Sequence, residues 1–333
     1  MRVLVNGVAG FGGSAVARRL CEEGYSVRGI DQVAPSHAFY LTDVLDKIDY
    51  RWKNLMDMTR DDVERCDVVL HFAGQADVAE GFTSPKYTVS DNVIGTVAAL
   101  EACRHVKSVK KFILASSASA VQRPEKLPTG PNHLPSPTNP YGASKGAQEL
   151  MCWAWHRSYG VPITILRNGI IYGPDMRREI FIFKWLWNIL HGKPCVLEGG
   201  DQTRDPTYSS DAVDAWALGV EAKPSEIVGR VFHVSYGREY NMREILKQCM
   251  TACGRRVEVI RKPYRPGEKG VRESFDISAS KSILGYMPKV TLDEGLSKTV
   301  SWMRLLMRDG SGRQLGQTAQ ALGRESGIWS GLT

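Results

Sequence analysis

Nowhere in these 333 residues does an apolar run approach the roughly 20 residues that a membrane-spanning helix needs, so no membrane partner is expected. The first residues form a core-type strand and leave no room for a cleavable leader, which makes cytoplasmic residence the default expectation. Clustered cysteines are also missing. Cys21, Cys66, Cys103, Cys152, Cys195, Cys249 and Cys253 are scattered. Cys249 and Cys253 can share a helix face, but no second ligand pair stands near them. Reduced, packed thiols are expected rather than metal ligands or disulfides, and no metal is assigned. Basic tracts are absent as well. The formal charge of +7 comes from dispersed Lys and Arg, and nothing alternates basic with aromatic residues, which argues against a nucleic-acid partner. A mild positive balance suits an anionic small molecule.

What is present is an ordinary globular composition, 43% hydrophobic and 24% charged, on a chain long enough for a cofactor domain and a smaller lobe. Arg2-Val3-Leu4-Val5-Asn6 reads as a buried strand ending at Gly7. Gly7, Gly10 and Gly13 follow at three-residue spacing, and Ser14 to Leu20 continues with apolar residues at helical period. Glycines at this spacing make a turn that β-carbons would block. They let backbone N–H groups at a helix N-terminus approach a pyrophosphate. A second strand, Ser26 to Ile30, ends at Asp31. A carboxylate there accepts hydrogen bonds from adenosine ribose hydroxyls and repels a 2′-phosphate. The expected cofactor is therefore NAD rather than NADP.

Tyr141 and Lys145 stand four apart in Asn139-Pro140-Tyr141-Gly142-Ala143-Ser144-Lys145, on one face of a helix expected to run from Tyr141 to Tyr159. A nearby ammonium favours the phenolate, so a tyrosine with an ordinary pKa of about 10 can serve as a base near neutrality. The strand Lys111 to Ala115 delivers Ser116, Ser117, Ala118 and Ser119 at its C-terminal end, where ligands of open α/β sheets bind. A hydroxyl there can hold a substrate oxygen beside the tyrosine.

Strand and helix patterns alternate through about residue 175, with further buried strands at Asp67 to Ala73 and Pro162 to Arg167 and a helix from Asn92 to Arg104. This alternation predicts an α/β fold: a doubly wound parallel sheet of Rossmann type with a smaller C-terminal α/β lobe. The division expected is 1–175 for the dinucleotide domain, 176–307 for a substrate lobe interwoven with it, and 308–333 for a flexible tail rich in Gly, Ser and Gln. The lobe is expected to carry helices near 179–191, 211–221 and 241–253, separated by short strands such as Val231 to Val234. The stretch from Gln122 to Thr138 holds five prolines and reads as a loop over the site. Phe181 to Trp187 is expected to be buried between the lobes. Met151, Trp153 and Trp155 suit either a subunit interface or core.

These motifs, in this order, resemble an extended short-chain dehydrogenase/reductase of the NAD-dependent epimerase/dehydratase type across roughly residues 1–307. The residues carrying the resemblance are Gly7 to Gly13, His71-Phe72-Ala73-Gly74, Asn92 to Thr96, Ser116-Ser117, Tyr141 to Lys145, Tyr172-Gly173-Pro174, Gln202 to Asp205 and Arg265-Pro266-Gly267-Glu268. The resemblance implies that Tyr141 is the catalytic base. Lys145 would bind the nicotinamide ribose and lower the tyrosine pKa, and Ser117 would hold the reacting hydroxyl. It also implies cofactor contacts from Gly7, Gly10, Phe11, Gly13, Asp31, Asn54, Leu55, Phe72, Ala73, Gly74 and Asn92. Ser119, Arg204 and Arg265 would meet a nucleotide sugar, the arginines presenting planar donor forks to its diphosphate. A UDP-sugar and a homodimer are the expected partners.

Within that family the dehydratases carry Asp-Glu directly after the hydroxyl residue, and here Ala118 and Ser119 stand in those places. The chain is therefore similar to the nucleotide-sugar 4-epimerases, which need only reversible hydride transfer through a 4-keto intermediate. An oxidoreductase, dehydratase or decarboxylase of the same family acting on a nucleotide sugar is the alternative, and a non-catalytic NAD-binding regulator a lesser one. Three positions depart from the family pattern: Ile170 replaces an Asn that contacts the nucleotide sugar, Val121-Gln122 replaces Tyr-Gly, and Gly12-Gly13 replaces Ile-Gly.

Overall fold

The computed structural model describes residues 1–308, so the expected tail from 308 onward lies, but for its first residue, outside the described residues. Seven strands form one parallel sheet: β1 (Arg2–Asn6), β2 (Ser26–Asp31), β3 (Ile48–Trp52), β4 (Val68–His71), β5 (Lys111–Ser117), β6 (Ile163–Asn168) and β7 (Arg230–Val234). Their spatial order is β7-β6-β5-β4-β1-β2-β3. The order reverses between β1 and β4, which opens a crevice at the carboxyl ends of those two strands. Val3, Leu4 and Val5 are fully buried, as a strand covered on both faces requires.

The helices that matter for the site are α1 (Phe11–Glu22), α2 (Gly95–Cys103), α3 (Pro140–Tyr159), α4 (Phe181–Leu190), α5 (Ser209–Glu221), α6 (Met242–Cys253) and α7 (Leu292–Arg308). A π-helical stretch, Ser90–Ile94, leads into α2, so the helix expected from Asn92 begins irregularly. α3 starts where its sequence dictates. The Asn139 side chain accepts from the Gly142 amide at 2.8 Å, and Pro140, which has no N–H to leave unpaired, takes the first position. It ends at Gly160 in the left-handed conformation.

One strand sits elsewhere than expected. Val231 to Val234, assigned to the smaller lobe from sequence, pairs in parallel with β6 and closes the main sheet at its edge. Pairing is decided by what lies beside a strand in space, and its order in the chain does not reveal that. α5 returns to the same sheet and is anchored by Lys111 of β5. The buried Lys111 Nζ donates to the carbonyls of Gly219, Val220 and Ala222 at the end of α5, with the Ala222 contact at 2.6 Å. An ammonium there satisfies the orphan carbonyls of a helix C-terminus.

A second core lies outside the sheet, built from α4, α6 and α7. Ile182, Leu186 and Ile189 of α4 pack there with Ile245, Leu246 and Leu296. The aromatic run Phe181 to Trp187 is thus largely core: Phe183 and Trp185 are buried. Met151, Trp153 and Trp155 are half-buried against the core beneath α3. All seven cysteines are free thiols. Among the described residues, no helix is long and apolar enough to cross a membrane.

Candidate active site

A single cavity of about 600 Å³ runs from the glycine turn after β1, past the ends of β4 and β5, to the start of α3 and on to Arg204 and Arg265. The turn at its first end depends on two glycines. Gly7 has φ +72, and a β-carbon on it would meet the Ala73 amide nitrogen at 2.6 Å. A β-carbon on Gly13 would lie 2.1 Å from the Gly7 carbonyl oxygen. Only glycine lets α1 start this close to β1. Gly10 is its N-cap and supplies no side-chain cap, so the first-turn N–H groups of α1 remain available to a ligand.

Asp31 ends β2 beside this turn. Its Oδ2 accepts from the Ala9 amide at 2.9 Å and its Oδ1 from the Val33 amide at 3.0 Å. Burial pushes the carboxyl pKa up, and these backbone donors oppose the rise. Asn54 and Leu55 line the same end, with the Asn54 amide donating to Gln32 Oε1 at 3.1 Å. Phe72, Ala73 and Gly74 line the opposite wall. Phe72 is braced edge-on by Trp216 at a centroid distance of 4.7 Å.

Asn92 is placed differently from the other expected cofactor residues. It is fully buried behind the wall, where its Nδ2 donates to the Gln75 carbonyl at 3.0 Å and to Ser144 Oγ at 2.8 Å. It pins the turn after β4 to α3. In this position it shapes the cavity without lining it.

Ser117, Tyr141 and Lys145 meet in the middle of the cavity. The neighbouring Ser117 hydroxyl favours the Tyr141 phenolate, and the charge of Arg177 acts in the same direction. Burial outweighs both and holds the phenol pKa above its ordinary value. Lys145 Nζ donates to the Ala115 carbonyl at 3.0 Å. Burial lowers its pKa to about 8, against the pull of Glu149 one turn further along α3. The sequence reading has Lys145 depress the tyrosine pKa. In this structure the desolvation of the buried phenol is the largest effect on Tyr141 and acts in the opposite direction. Ser119 is also on the cavity wall, and its carbonyl lies where a β-carbon on Gly142 would come within 2.3 Å. Gly142 therefore lets α3 approach the serine turn.

The proline-rich segment is tied down from below. Arg167, buried at the end of β6, donates to the carbonyls of Pro131 at 3.1 Å and His133 at 2.9 Å. The same guanidinium is ion-paired with the buried Glu149 at 2.7 Å, and Glu149 also accepts from Ser116 Oγ at 2.6 Å. At the far end, Arg204 is buried and donates to the Thr203 carbonyl at 2.8 Å, pairs with Glu268, and stands 3.5 Å from Glu273. Arg265 is half-exposed and pairs with Glu198. Ile170 contributes apolar surface to the cavity.

Among the lining residues that the sequence did not assign to the site are Gln122, Arg177 and Glu273. Gln122 had a signal, since it stands where the family pattern has glycine. Arg177 follows Tyr172-Gly173-Pro174 closely but belongs to no quoted motif. Glu273 reaches the cavity only through the path of the chain after Arg265.

The match to the family model for the NAD dependent epimerase/dehydratase family covers residues 3–235, from β1 to the end of β7. The chain belongs to this family. A UDP-glucose 4-epimerase of Mycolicibacterium smegmatis is 30% identical over 316 residues, covering 91% of this chain and 99% of the relative. A dTDP-glucose 4,6-dehydratase of Streptomyces niveus is also 30% identical, over 327 residues, covering 91% and 93%. The crystal structure of a UDP-glucuronic acid 4-epimerase from Bacillus cereus, in complex with UDP-glucuronic acid and NAD, superposes with a TM-score of 0.85 at 27% identity. It covers 92% of this chain and 100% of that one. Family membership makes NAD the cofactor. The glycine cradle that a β-carbon would fill, and the uncapped start of α1 beside Asp31, fit it.

Proposed function

We propose that this protein is a nucleotide-sugar 4-epimerase that uses NAD, with a UDP-sugar as its substrate. The observation that carries the reading is the composition of the turn after Ser117. Ala118 and Ser119 are buried there and offer no ionisable group beside the Ser117–Tyr141 pair. Dehydration would require an acid and a base to remove water across C5 and C6. Epimerisation removes no proton from C5 and needs no acid or base beyond Tyr141.

Bound against the glycine turn and Asp31, NAD supplies a two-electron acceptor that gives back the same hydride. The chain's own residues do the remainder. Ser117 holds the C4 hydroxyl of the sugar beside Tyr141. Tyr141 takes the proton of that hydroxyl as C4 becomes a ketone, and returns it when C4 is reduced on its other face. Lys145, fixed on the Ala115 carbonyl, sets a positive charge on the same face of α3 and orients the cofactor ribose. Arg204 and Arg265 hold the diphosphate, and the apolar Ile170 leaves the sugar room to turn over between the two transfers. Exposed Val89, Ile94 and Leu150, near α2 and α3, support a homodimer. Seven free thiols fit a reducing compartment such as the cytoplasm.

A substrate deuterated at C4 tests the reaction type. Epimerisation keeps the label at C4 and brings no solvent deuterium to C5. Solvent label at C5 with the C4 label moved to C6 would identify a dehydratase. Label passing into free cofactor would identify a dehydrogenase. Either result overturns the proposal.

A further inference from the structure

The substrate arm of the cavity contains a carboxylate that the reaction above does not use. Glu273 is on the cavity wall, only 3% exposed, and its Oε2 has no hydrogen-bond partner. Its other oxygen is held from two sides. Gln122 Nε2 reaches Oε1 at 3.5 Å, and Arg204 Nε stands 3.5 Å from the same oxygen. Gln122 is itself fixed, since its Oε1 accepts from Thr138 Oγ1 at 2.7 Å and Asn139 Nδ2 at 2.8 Å. Asn139 caps the helix that carries Tyr141. Glu273 is thus one side chain away from the tyrosine helix on one side and directly beside Arg204 on the other. With the diphosphate at Arg204 and the reacting carbon at Tyr141, the span between them is where the pyranose lies.

A buried carboxylate oxygen without a donor is rare in native proteins, because its desolvation goes uncompensated. Glu273 borders the cavity, and a donor can arrive from there. Burial pushes its pKa up and Arg204 pulls it back, so a further positive or donor group beside it would favour the ionised form.

We propose that Glu273, steadied by Gln122, determines which sugar is accepted: it favours a pyranose that offers a hydroxyl or ammonium donor and disfavours one that carries a carboxylate. This rests on the nucleotide-sugar reading and adds the chemical class of the sugar. Arg177 and Lys145, the cations at the tyrosine end, are unchanged between wild type and a Glu273 variant, so comparing the two isolates Glu273.

The experiment is calorimetric binding of UDP, UDP-glucosamine, UDP-glucose and UDP-glucuronate to the NAD-loaded protein at pH 7, each sugar affinity divided by that of UDP in the same protein. This division removes any effect of Glu273 on the diphosphate through Arg204. Wild type should bind UDP-glucosamine about tenfold or more tighter than UDP-glucuronate, with UDP-glucose between them, the scale of one charge-assisted hydrogen bond. Glu273→Gln, which keeps the shape and removes the charge, should bring the end members within about threefold. A flat series in wild type overturns the inference even if no variant folds, and so does a Glu273→Gln protein that keeps the wild-type ratio. UDP binding with a flat sugar series leaves the nucleotide-sugar reading standing and removes only this step. Failure of UDP to bind at all overturns both.

Discussion

Asp31→Asn is the sharpest probe of the cofactor end, because both carboxylate oxygens already hold a backbone amide, Ala9 at 2.9 Å and Val33 at 3.0 Å. Asparagine has one acceptor oxygen and one NH₂ group. Whichever way it turns, an amide donor faces a backbone donor, and one of the two contacts becomes repulsive. If the NH₂ faces Ala9, the residue between Gly7 and Gly10 loses its anchor and the glycine turn loosens. The substitution also removes the negative charge offered to the adenosine ribose hydroxyls. A hydrogen bond to a charged group is worth about 1.5–3 kcal/mol, which corresponds to a loss of roughly 10- to 100-fold in NAD affinity. NADP should lose less, because the clash with its 2′-phosphate is relieved at the same time, so the NAD/NADP preference should shrink. The assay is calorimetric titration of cofactor-stripped protein with each nucleotide. Thermal unfolding without nucleotide serves as the control for the turn. A folded Asp31→Asn protein with unchanged NAD affinity would refute the reasoning. A wild type that binds NADP as tightly as NAD would refute it too.

Two further outcomes are expected. Tyr141→Phe should keep the fold and NAD binding while lowering turnover by on the order of 10²-fold or more, the scale of a lost general base; near-full turnover in stopped assays would move the chemistry to another residue. His71 is buried with its Nε2 at 2.9 Å from Thr96 Oγ1, and burial lowers its pKa to about 3. The unfolded chain takes up this proton first, near pH 6.5, so the stability it contributes is present above that pH and is lost as pH falls toward 3. By pH 5 the loss is about 2 kcal/mol from this residue alone. Asp205, pushed up to about 7 by burial, acts in the opposite direction, so the quantity to measure is a difference between proteins. Urea unfolding of His71→Gln should therefore show about 2 kcal/mol less destabilisation between pH 7 and pH 5 than wild type, and equal slopes would refute the assignment.

The dinucleotide end of the site was legible in the sequence because its chemistry is local. Gly7, Gly10, Gly13 and Asp31 act through backbone geometry within one strand–helix–strand unit, and a turn that admits no β-carbon has to be written as glycine. Tyr141 and Lys145 were legible for the same reason, since four residues of helix fix their separation. Ser117 required only the rule that ligands gather at the carboxyl ends of parallel strands.

Tertiary structure decided what depends on segments far apart in the chain. Val231 to Val234 joins the main sheet because β6 presents a free edge to it, and no local pattern encodes that pairing. Asn92 sits behind the wall because α3 brings Ser144 to it across 52 residues. The Tyr141 pKa follows from burial, which pairwise spacing with Lys145 does not reveal. Glu273 becomes part of the substrate cavity only when residues separated by 151 positions in sequence bring it to Gln122. A motif fixes chemistry that one stretch of backbone can hold by itself, whereas solvent exclusion and contacts between distant segments exist only once the chain has packed.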